Sequence, residues 1–267
     1  MSAGPRPGGP TASAPAGGWR TAVVREVRHP TPRSVVLGLD VPDRVEQLAG
    51  QHYVVRLTAD DGYVAQRSFS VASAPDDPRV ELFVERLADG EVSGFLADGV
   101  AVGDTLEVRG PIGGWFVWDG TRPAVGVGGG SGAVPLVAML RHARHLGHPE
   151  RLHLAVAART LADLPYADEL VSSGALVALS REVAPSGRPP GRLTATELAG
   201  LAALVAQGQP GSQDEPGGPG GPAAAGGPPA AVFVCGSAPF AETVSTALVA
   251  AGIPAGTVRV ERFGPSS

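Results

Sequence analysis

Arg67, Ser68, Phe69 and Ser70 are consecutive residues that combine a cation, a flat aromatic ring and two hydroxyl groups. Arginine can form a pair of hydrogen bonds with a pyrophosphate, phenylalanine can stack on a planar ring, and serine can hydrogen-bond a ring nitrogen. In an extended strand, Arg67 and Phe69 would share one face, and Ser68 and Ser70 the other. Taken alone, the segment is more typical of an ordinary amphipathic strand than of a ligand site.

A glycine-rich run, Gly129-Gly130-Ser131-Gly132, follows an apolar segment and precedes a helical pattern with Pro135 in its first turn. Glycines let the backbone approach a pyrophosphate closely, and a helix N-terminus favours negative charge. Proline is acceptable in a first turn because its missing N–H would have no partner there. In a chain with 38 glycines the run is a weak signal by itself, and its value lies in its place between a strand and a helix.

Two further segments have the composition of an anion site and of a tight turn. Val92 and Ser93 follow Gly90 at the start of a predicted short helix, where free backbone N–H groups and a hydroxyl favour an anion. An ordinary helix cap would have the same sequence. Gly110 and Gly113 flank a Pro-Ile pair, which by itself indicates only a tight turn.

Composition narrows the classes of function. The chain has 267 residues, of which 43% are hydrophobic and 18% charged, and its formal net charge of −5 gives no reason to expect nucleic-acid binding. All 21 basic residues are arginine, so the presence of arginine and not lysine at a position is weaker evidence than usual for a specific chemical role. The single cysteine, Cys235, excludes an intramolecular disulfide, a cysteine-ligated zinc site and a four-cysteine iron–sulfur cluster in this chain.

Three histidines, His142, His145 and His148, recur at a spacing of three residues. The neighbouring Arg141 and Arg144 would repel a cation, so a solvated helix face is the favoured interpretation and no metal site is predicted. No Ser-His-Asp arrangement has supporting motifs either.

The pattern of apolar residues changes near residue 120. Before it, short β-rich segments broken by Pro, Gly and Asp predict an antiparallel barrel with one short helix, Val92–Ala97. The predicted barrel strands are Thr21–Arg28, Ser34–Leu39, Tyr53–Thr58, Gln66–Ala72, Arg79–Arg86 and Thr105–Arg109. After it, strands alternate with helices, which predicts a doubly wound parallel sheet. The predicted strands are Ala124–Gly128, Leu152–Ala157, Leu176–Ser180, Ala231–Cys235 and Val258–Glu261, and the helices are Val134–Leu146, Pro165–Ser172, Thr196–Ala206 and Pro239–Ala251.

We therefore expect a barrel domain over residues 19–119 and a parallel-sheet domain over residues 120–267. Residues 1–18 lack the apolar region of a signal peptide and are predicted to form a disordered tail. Residues 208–229 are nearly all Gly, Pro, Ala and Gln, which predicts a disordered insertion in a surface loop, with a Pro-rich partner-docking segment as the alternative. No apolar run approaches the roughly 20 residues of a membrane helix, so the cytoplasm is the expected location.

Five motifs, in order over about residues 19–264, resemble those of the ferredoxin–NADP reductase superfamily. Residues 67–73 are similar to the family's Arg-x-Tyr-Ser-x-x-Ser run, except that Phe69 stands where the family has Tyr. Residues 128–135 are similar to its Gly-Gly-x-Ser/Thr-Gly-x-x-Pro loop. Residues 235–237 are similar to its Cys-Gly-Pro segment, with Ser237 in place of Pro. The resemblance implies an N-terminal antiparallel FAD-binding barrel followed by a doubly wound NAD(P)-binding domain.

The resemblance implies roles for the barrel motifs. Arg67 would neutralise the flavin phosphates, Phe69 would pack against the isoalloxazine or ribityl region, and Ser70 would approach flavin N5. The segment that includes Val92 and Ser93 looks like the family's holder of the FAD pyrophosphate, which favours FAD over FMN.

The turn that contains Gly110 and Gly113 is similar to the family's Gly-Pro-x-Gly-x-Phe turn, which closes the barrel beside the flavin. The loop of Gly129, Gly130 and Gly132 looks like its nicotinamide-nucleotide loop.

At the other end of the chain, Cys235 and Gly236 would lie near the nicotinamide. Phe263 is the candidate for the aromatic residue that shields the flavin in relatives, with Glu261 as a polar neighbour, although Phe263 could equally be a core residue. Arg159 follows the second predicted strand of the parallel sheet, where an arginine can accommodate the 2′-phosphate of NADP and an acid would favour NAD. The sequence therefore favours NADP slightly over NAD.

We expect an oxidoreductase that moves hydride from NAD(P)H to FAD and passes electrons to a separate acceptor, such as a ferredoxin or an oxygenase component. The first alternative is a flavin, ferric or quinone reductase that acts on small molecules. The second is a non-catalytic flavin-binding interaction subunit, which the departures at Phe69 and Ser237 keep open. No nucleic-acid partner and no membrane insertion are expected.

Overall fold

The structure is a computed structural model that describes residues 18–31, 33–207 and 231–263. The predicted tail, apart from Gly18, and the predicted insertion at 208–229 lie outside the described residues. Elements within the described ranges are numbered β1–β11 and α1–α5 in chain order.

The first half of the chain forms a six-stranded antiparallel sheet with the order β4-β3-β6-β1-β2-β5. Its strands are β1 (Trp19–Thr31), β2 (Ser34–Asp40), β3 (His52–Thr58), β4 (Val64–Ser70), β5 (Val80–Glu85) and β6 (Thr105–Ile112), and helix α1 spans Glu91–Asp98. A bridge between Val71 and Leu82 joins the chain after β4 to β5, so the two ends of the sheet meet. Alternate residues of β1, such as Ala22 and Val24, point into the barrel core because strand side chains alternate between faces.

The second half forms a five-stranded parallel sheet with the order β11-β10-β7-β8-β9. Its strands are β7 (Ala124–Gly129), β8 (Leu152–Ala158), β9 (Leu176–Leu179), β10 (Ala231–Ser237) and β11 (Val258–Phe263), and its helices are α2 (Val134–His145), α3 (Ala167–Ser172), α4 (Ala195–Gln207) and α5 (Ala238–Ala250). Helix α2 packs on one face of the sheet, and α4 and α5 pack on the other. The predicted fold class, a barrel followed by a doubly wound parallel sheet, is confirmed.

Most elements begin or end one to three residues away from their predicted bounds, and two of these differences have identifiable reasons. β1 begins at Trp19, because Trp19 and Arg20 pair with Arg109 and Val108 of β6. Helix α3 begins two residues later than predicted, because Tyr166 has a left-handed backbone with φ of 54°, which no helix can include. The domain boundary at 119/120 stays a prediction; β6 ends at Ile112 and β7 begins at Ala124.

The two sheets are in direct contact through apolar side chains. Phe83 of β5 packs against Tyr166, with ring centroids 5.9 Å apart, and both join a buried cluster with Val134 of α2. Phe116 and Trp118, which follow β6, pack into the core beneath α2. Among the helices of the described ranges, none combines the length and the apolar character needed to cross a lipid bilayer.

Candidate active site

A cavity of about 1710 Å³ lies between the barrel and the carboxyl ends of the parallel strands. The barrel contributes β4 and the start of α1, and the parallel sheet contributes the ends of β7, β8, β10 and β11. The cavity exceeds the ~300–1,000 Å³ of a pocket for one drug-sized ligand. It therefore has room for more than one such molecule, at the edge of the sheet where ligands bind in doubly wound folds.

The cavity brings together most of the residues that the sequence singled out. Those that line it are Arg67, Ser68, Phe69, Ser70, Val92, Ser93, Gly129, Gly130, Ser131, Arg159, Glu261 and Phe263. Those that do not are Gly110, Gly113, Gly132, Pro135, Cys235 and Gly236. The roles of both groups remain predictions.

Residues on both faces of strand β4 line the cavity. Phe69 packs partly against the barrel core, whereas Ser70 lies on the opposite face and is 6% exposed. Arg67 is exposed, and the one hydrogen bond of its side chain among the described residues runs from Nη1 to the carbonyl of Gln66. The cation is therefore free to bind an anion in the cavity.

Three buried polar atoms on cavity-lining residues have no hydrogen-bond partner among the described residues: Ser70 Oγ, Arg109 Nε and Glu261 Oε2. Buried polar groups are nearly always hydrogen-bonded, because an unpaired one costs about 1–3 kcal/mol. All three belong to residues that line the cavity.

The start of α1 is organised by Ser93. Its Oγ accepts a hydrogen bond from the N–H of Leu87 and donates one to the carbonyl of Gly90, so the hydroxyl holds the loop that precedes the helix. Gly90 leaves no room for a side chain, since a Cβ there would lie 2.2 Å from Ser93 Oγ. Ser93 therefore shapes the loop, and the backbone N–H groups of the first turn remain the candidate anion binders.

The glycine loop forms a short 3-10 helix, Gly130–Ala133, that leads directly into α2. Gly130 has a φ of 57° and open space where a Cβ would be, so the loop presents bare backbone to the cavity. Gly132 has the opposite reason to be glycine, because a Cβ there would lie 2.2 Å from the carbonyl oxygen of Cys235. This packing fixes the loop against β10.

Arg159 directly follows β8 and lies beside a carboxylate. Its Nη2 lies 3.4 Å from Oδ1 of Asp163, whose other oxygen accepts a hydrogen bond from Thr160. The Thr160 hydroxyl and the Arg159 charge lower the pKa of Asp163. Arg192 also lines the cavity near this point, because Gly191 donates a hydrogen bond to the carbonyl of Leu179 at the end of the neighbouring strand β9.

Cys235 and Glu261 are paired in register on β10 and β11, yet only Glu261 reaches the cavity. Burial raises the pKa of the Cys235 thiol, and the Glu261 charge raises it further. Burial also raises the pKa of Glu261 to about 7. Phe263, two residues along β11, lines the cavity and also packs against the core under α2, so it fits both sequence interpretations.

Sequence reasoning missed several cavity residues, notably His52, Arg109 and Phe240. His52 is the cross-strand partner of Ser70, and burial lowers its pKa. The ring of Phe240 covers Gly129, where a Cβ would lie 2.8 Å from it. The alternation of β3 predicts that His52 lies on an outward face. Its position beside Ser70, however, depends on the pairing of β3 with β4, which the sequence alone does not show.

Positive charge predominates around the cavity. Six arginines line it: Arg33, Arg67, Arg109, Arg159, Arg192 and Arg262. Four carboxylates line it: Glu85, Asp89, Asp163 and Glu261. In a chain with a net charge of −5, this local excess favours anionic ligands such as pyrophosphates. Among the described residues, no group of three or more His, Cys, Asp or Glu side chains is arranged to hold a metal ion.

Comparison with known proteins supports a cofactor-binding barrel in the first half of the chain. Residues 24–117 match the family described as "Oxidoreductase FAD-binding domain". The propane 2-monooxygenase reductase component of Gordonia sp. (strain TY-5) is 35% identical over 158 residues, which are 58% of this chain and 45% of the relative. The ferredoxin reductase component of 3-ketosteroid-9-alpha-monooxygenase from Rhodococcus rhodochrous is 30% identical over 257 residues, 92% of this chain and 64% of the relative. The chain thus spans about half the length of the curated relatives it matches.

Among solved structures, a ferredoxin NADP+ reductase from Neisseria gonorrhoeae with bound FAD and NADP has a TM-score of 0.69. The match covers 91% of this chain and 98% of that chain at 19% identity, which establishes a common fold. Residues 24–117 are therefore similar to the oxidoreductase FAD-binding domain family, and the chain as a whole has the fold of the ferredoxin NADP+ reductase.

Proposed function

We propose that this protein is an NAD(P)H-dependent flavin oxidoreductase, which transfers hydride from a nicotinamide nucleotide to N5 of FAD and passes the electrons to a separate acceptor. The observation that carries the proposal is the single cavity shared by the Arg67–Ser70 segment and the carboxyl ends of the parallel strands. An FAD-binding barrel on one side and a nucleotide-type sheet on the other would bring two redox cofactors into one space.

The barrel side of the cavity fits FAD. Arg67 supplies an exposed cation for the phosphates, and the first turn of α1 supplies backbone N–H groups. Ser70 supplies a buried hydroxyl without a partner among the described residues, and Phe69 supplies an aromatic ring on the other face of β4. When bound, FAD would supply hydride acceptance at N5 and release of electrons one at a time.

The parallel-sheet side fits a nicotinamide nucleotide. Gly130 and Ser131 would bind its pyrophosphate at the start of the helical segment that leads into α2. Glu261, with its raised pKa, would hold a proton or a hydrogen bond near the reacting atoms, and Phe263 would exclude water from them. Cys235 would act from behind the cavity wall by positioning Glu261, since its thiol is buried.

Anaerobic stopped-flow tests the proposal. The flavin band near ~450 nm is followed after the purified protein is mixed with NADPH and, separately, with NADH. Fast bleaching by either nucleotide would support hydride transfer. A flavin that binds but stays oxidised with both would contradict the reductase assignment and favour a flavin-binding interaction subunit.

We propose NADPH as the preferred nucleotide. Arg159 stands at the end of the second strand, β8, and Arg192 approaches the same end from the loop after β9, so two cations would meet a 2′-phosphate. Substitution of Arg159 by Gln should reduce kcat/KM for NADPH by about tenfold, the loss expected for one charge-assisted hydrogen bond, and leave that for NADH unchanged. Equal losses with both nucleotides would contradict the preference.

The electron acceptor is proposed to be a ferredoxin or an oxygenase component, by analogy with the reductase components named above. Steady-state reduction of a ferredoxin should then be more efficient than reduction of free flavin, ferric chelates or quinones at equal concentration. The reverse order would favour a reductase that acts on small molecules.

A further inference from the structure

Tyr63 is an aromatic residue at the end of the hairpin loop between β3 and β4, and it is 57% exposed. The hairpin fixes its backbone, because its carbonyl accepts a hydrogen bond from the N–H of Ala59 and its own N–H donates to Oδ1 of Asp61, each over 2.9 Å. Its hydroxyl donates to Oε2 of Glu91 over 3.1 Å. The side chain is therefore held at both ends while most of its surface faces solvent.

The contact with Glu91 places Tyr63 beside the candidate pyrophosphate site. Glu91 is the first residue of α1, and the backbone N–H groups of this first turn are the anion binders of the proposed function. Val92 and Ser93 of the same turn line the large cavity together with Arg67. Tyr63 does not line the cavity itself, so it stands next to the place where the cavity reaches α1.

Tyr63, Arg67 and Phe69 follow one another on one face of β4. Strand side chains alternate, so residues 63, 65, 67 and 69 share a face, and Ala65 and Phe69 pack against the same apolar cluster as α1 does. At the strand rise of ~3.3 Å per residue, Arg67 lies about 7 Å from Phe69, and Tyr63 about 13 Å beyond Arg67. The face thus presents an aromatic ring, a cation and a second aromatic ring in that order.

This order is the order of the chemical groups in FAD, which are a flavin ring, a pyrophosphate and an adenine. We propose that Tyr63 is the stacking partner for the adenine of FAD. The inference rests on the proposed function, because it takes the flavin to lie at Phe69 and the pyrophosphate at Arg67 and α1. The adenine would then lie outside the cavity, on the surface beside the first turn of α1.

A purine base and an aromatic side chain stack through their flat faces. A ring that is already held by hydrogen bonds loses little conformational freedom when the base binds, and this favours affinity. FMN has no adenine and gains nothing from Tyr63. Tyr63 therefore makes the site selective for FAD over FMN.

Binding of FAD and FMN to the cofactor-free protein tests the inference. Dissociation constants for both flavins are measured by titration calorimetry for the wild-type protein and its variants. Tyr63→Ala should weaken FAD binding about 10- to 100-fold, the loss expected for one base stacked on an aromatic ring, and should leave FMN binding unchanged. Tyr63→Phe keeps the ring and loses only the hydrogen bond to Glu91, so it should retain most of the affinity for FAD.

Val64→Ala is the matched control. Val64 is the next residue of the chain and is also apolar and 49% exposed, but the alternation of β4 places it on the opposite face from Tyr63. It should leave both dissociation constants unchanged. Equal losses of FAD and FMN affinity in Tyr63→Ala would show that Tyr63 only shapes the hairpin, and an unchanged FAD affinity would show that it makes no contact with the adenine. Either result would overturn the inference.

A crystal structure of the wild-type protein with FAD gives a second test that depends on no variant. The adenine should lie parallel to the ring of Tyr63 and in van der Waals contact with it, and an adenine bound elsewhere would overturn the inference.

The proposed function fails in a different way. A protein that binds FAD through Tyr63 but is reduced by neither NADPH nor NADH would contradict the reductase assignment and support the adenine contact. A protein that is reduced normally, with an FAD affinity independent of Tyr63, would contradict only the adenine contact. A wild-type protein that binds neither flavin would overturn both.

Discussion

Arg141 and Glu81 join the two sheets of the molecule, with Nη1 of Arg141 2.8 Å from Oε1 of Glu81. The same guanidinium group donates to the carbonyl of Ala72, and the hydroxyl of Tyr166 donates to the same carboxylate oxygen over 2.8 Å. Glu81 also receives Arg28 on its other oxygen. One carboxylate of β5 thus holds groups from α2 and from the start of α3, beside the cavity that the two sheets enclose.

Replacement of Glu81 by Gln should lower the free energy of unfolding by about 2 kcal/mol, because Arg141 and Arg28 would lose a mostly buried charged partner. Equilibrium urea unfolding measures the change. Glu85→Gln is the matched control on the same strand, since its partner Arg33 lies 3.7 Å away and both side chains are well exposed. The control should change stability by less than ~0.5 kcal/mol; equal losses in both variants would contradict a special role for Glu81.

Replacement of Ser70 by Ala should slow the reduction of bound FAD by NAD(P)H about 10- to 100-fold, the effect of one hydrogen bond to a group that gains charge. The stability of the cofactor-free protein should not fall, because the hydroxyl has no partner among the described residues. Stopped-flow and urea unfolding separate the two effects. Ser245→Ala, a half-buried change on α5 outside the cavity, serves as the control. An unchanged reduction rate with Ser70→Ala would remove Ser70 from the proposed site.

Glu261 should make the cofactor-free protein less stable as pH rises. Burial raises its pKa from 4.5 to about 7, so the folded state binds a proton more tightly than the unfolded state does. Below pH 4.5 both states are protonated and there is no penalty, whereas above about pH 7 the penalty is complete and amounts to about 3 kcal/mol.

Glu261→Gln should therefore match the wild-type protein near pH 4.5 and exceed its free energy of unfolding by up to about 3 kcal/mol at pH 8. Urea titrations at the two pH values measure the difference, with the exposed Glu242→Gln as control. A constant difference between the two pH values would show that Glu261 ionises in the folded protein as it does in the unfolded chain.

Replacement of Gly132 by Ala should destabilise the protein by about 2 kcal/mol, because the added Cβ would lie 2.2 Å from the carbonyl oxygen of Cys235 and 2.7 Å from the nitrogen of Gly236. Backbone cannot move aside as a flexible side chain can. Gly200→Ala in α4 is the control with the opposite sign, since no atom lies within 4 Å of the new Cβ. It should stabilise the helix by about 0.5–1 kcal/mol. Thermal or urea unfolding of both variants shows whether the loss of stability at Gly132 comes from the steric contact of the new Cβ or would follow from any replacement of glycine by alanine.

The order of strands and helices was predictable because each element carries its own apolar pattern, as in β2, which is buried except for Asp40, or in the alternating start of β1. What the sequence could not supply were effects of distant partners. The start of β1 depends on its pairing with β6, and the delay of α3 depends on the left-handed backbone of Tyr166, whose side chain contacts Phe83 and Glu81 of the distant strand β5. Arg109 likewise gains its place at the cavity from the pairing of β6 with β3.

The candidate site was predictable where consecutive residues form a motif, as in residues 67–70 and 129–132. It was not predictable where the residues come from different strands, as with His52 beside Ser70. Cys235 illustrates the limit of a motif: the segment reaches the edge of the cavity, yet the thiol points into the core and its strand partner Glu261 reaches the cavity instead.

Strand β11 is the outermost strand of the parallel sheet, and its only strand neighbour in the described residues is β10. Outer strands open in local unfolding events that leave the central strands intact. A single opening of this strand would withdraw Glu261 and Phe263 from the cavity together, because both belong to it. The cavity would then lose a carboxylate and an aromatic side chain at once. Glu261 and Phe263 therefore line the cavity only for as long as β11 stays paired with β10.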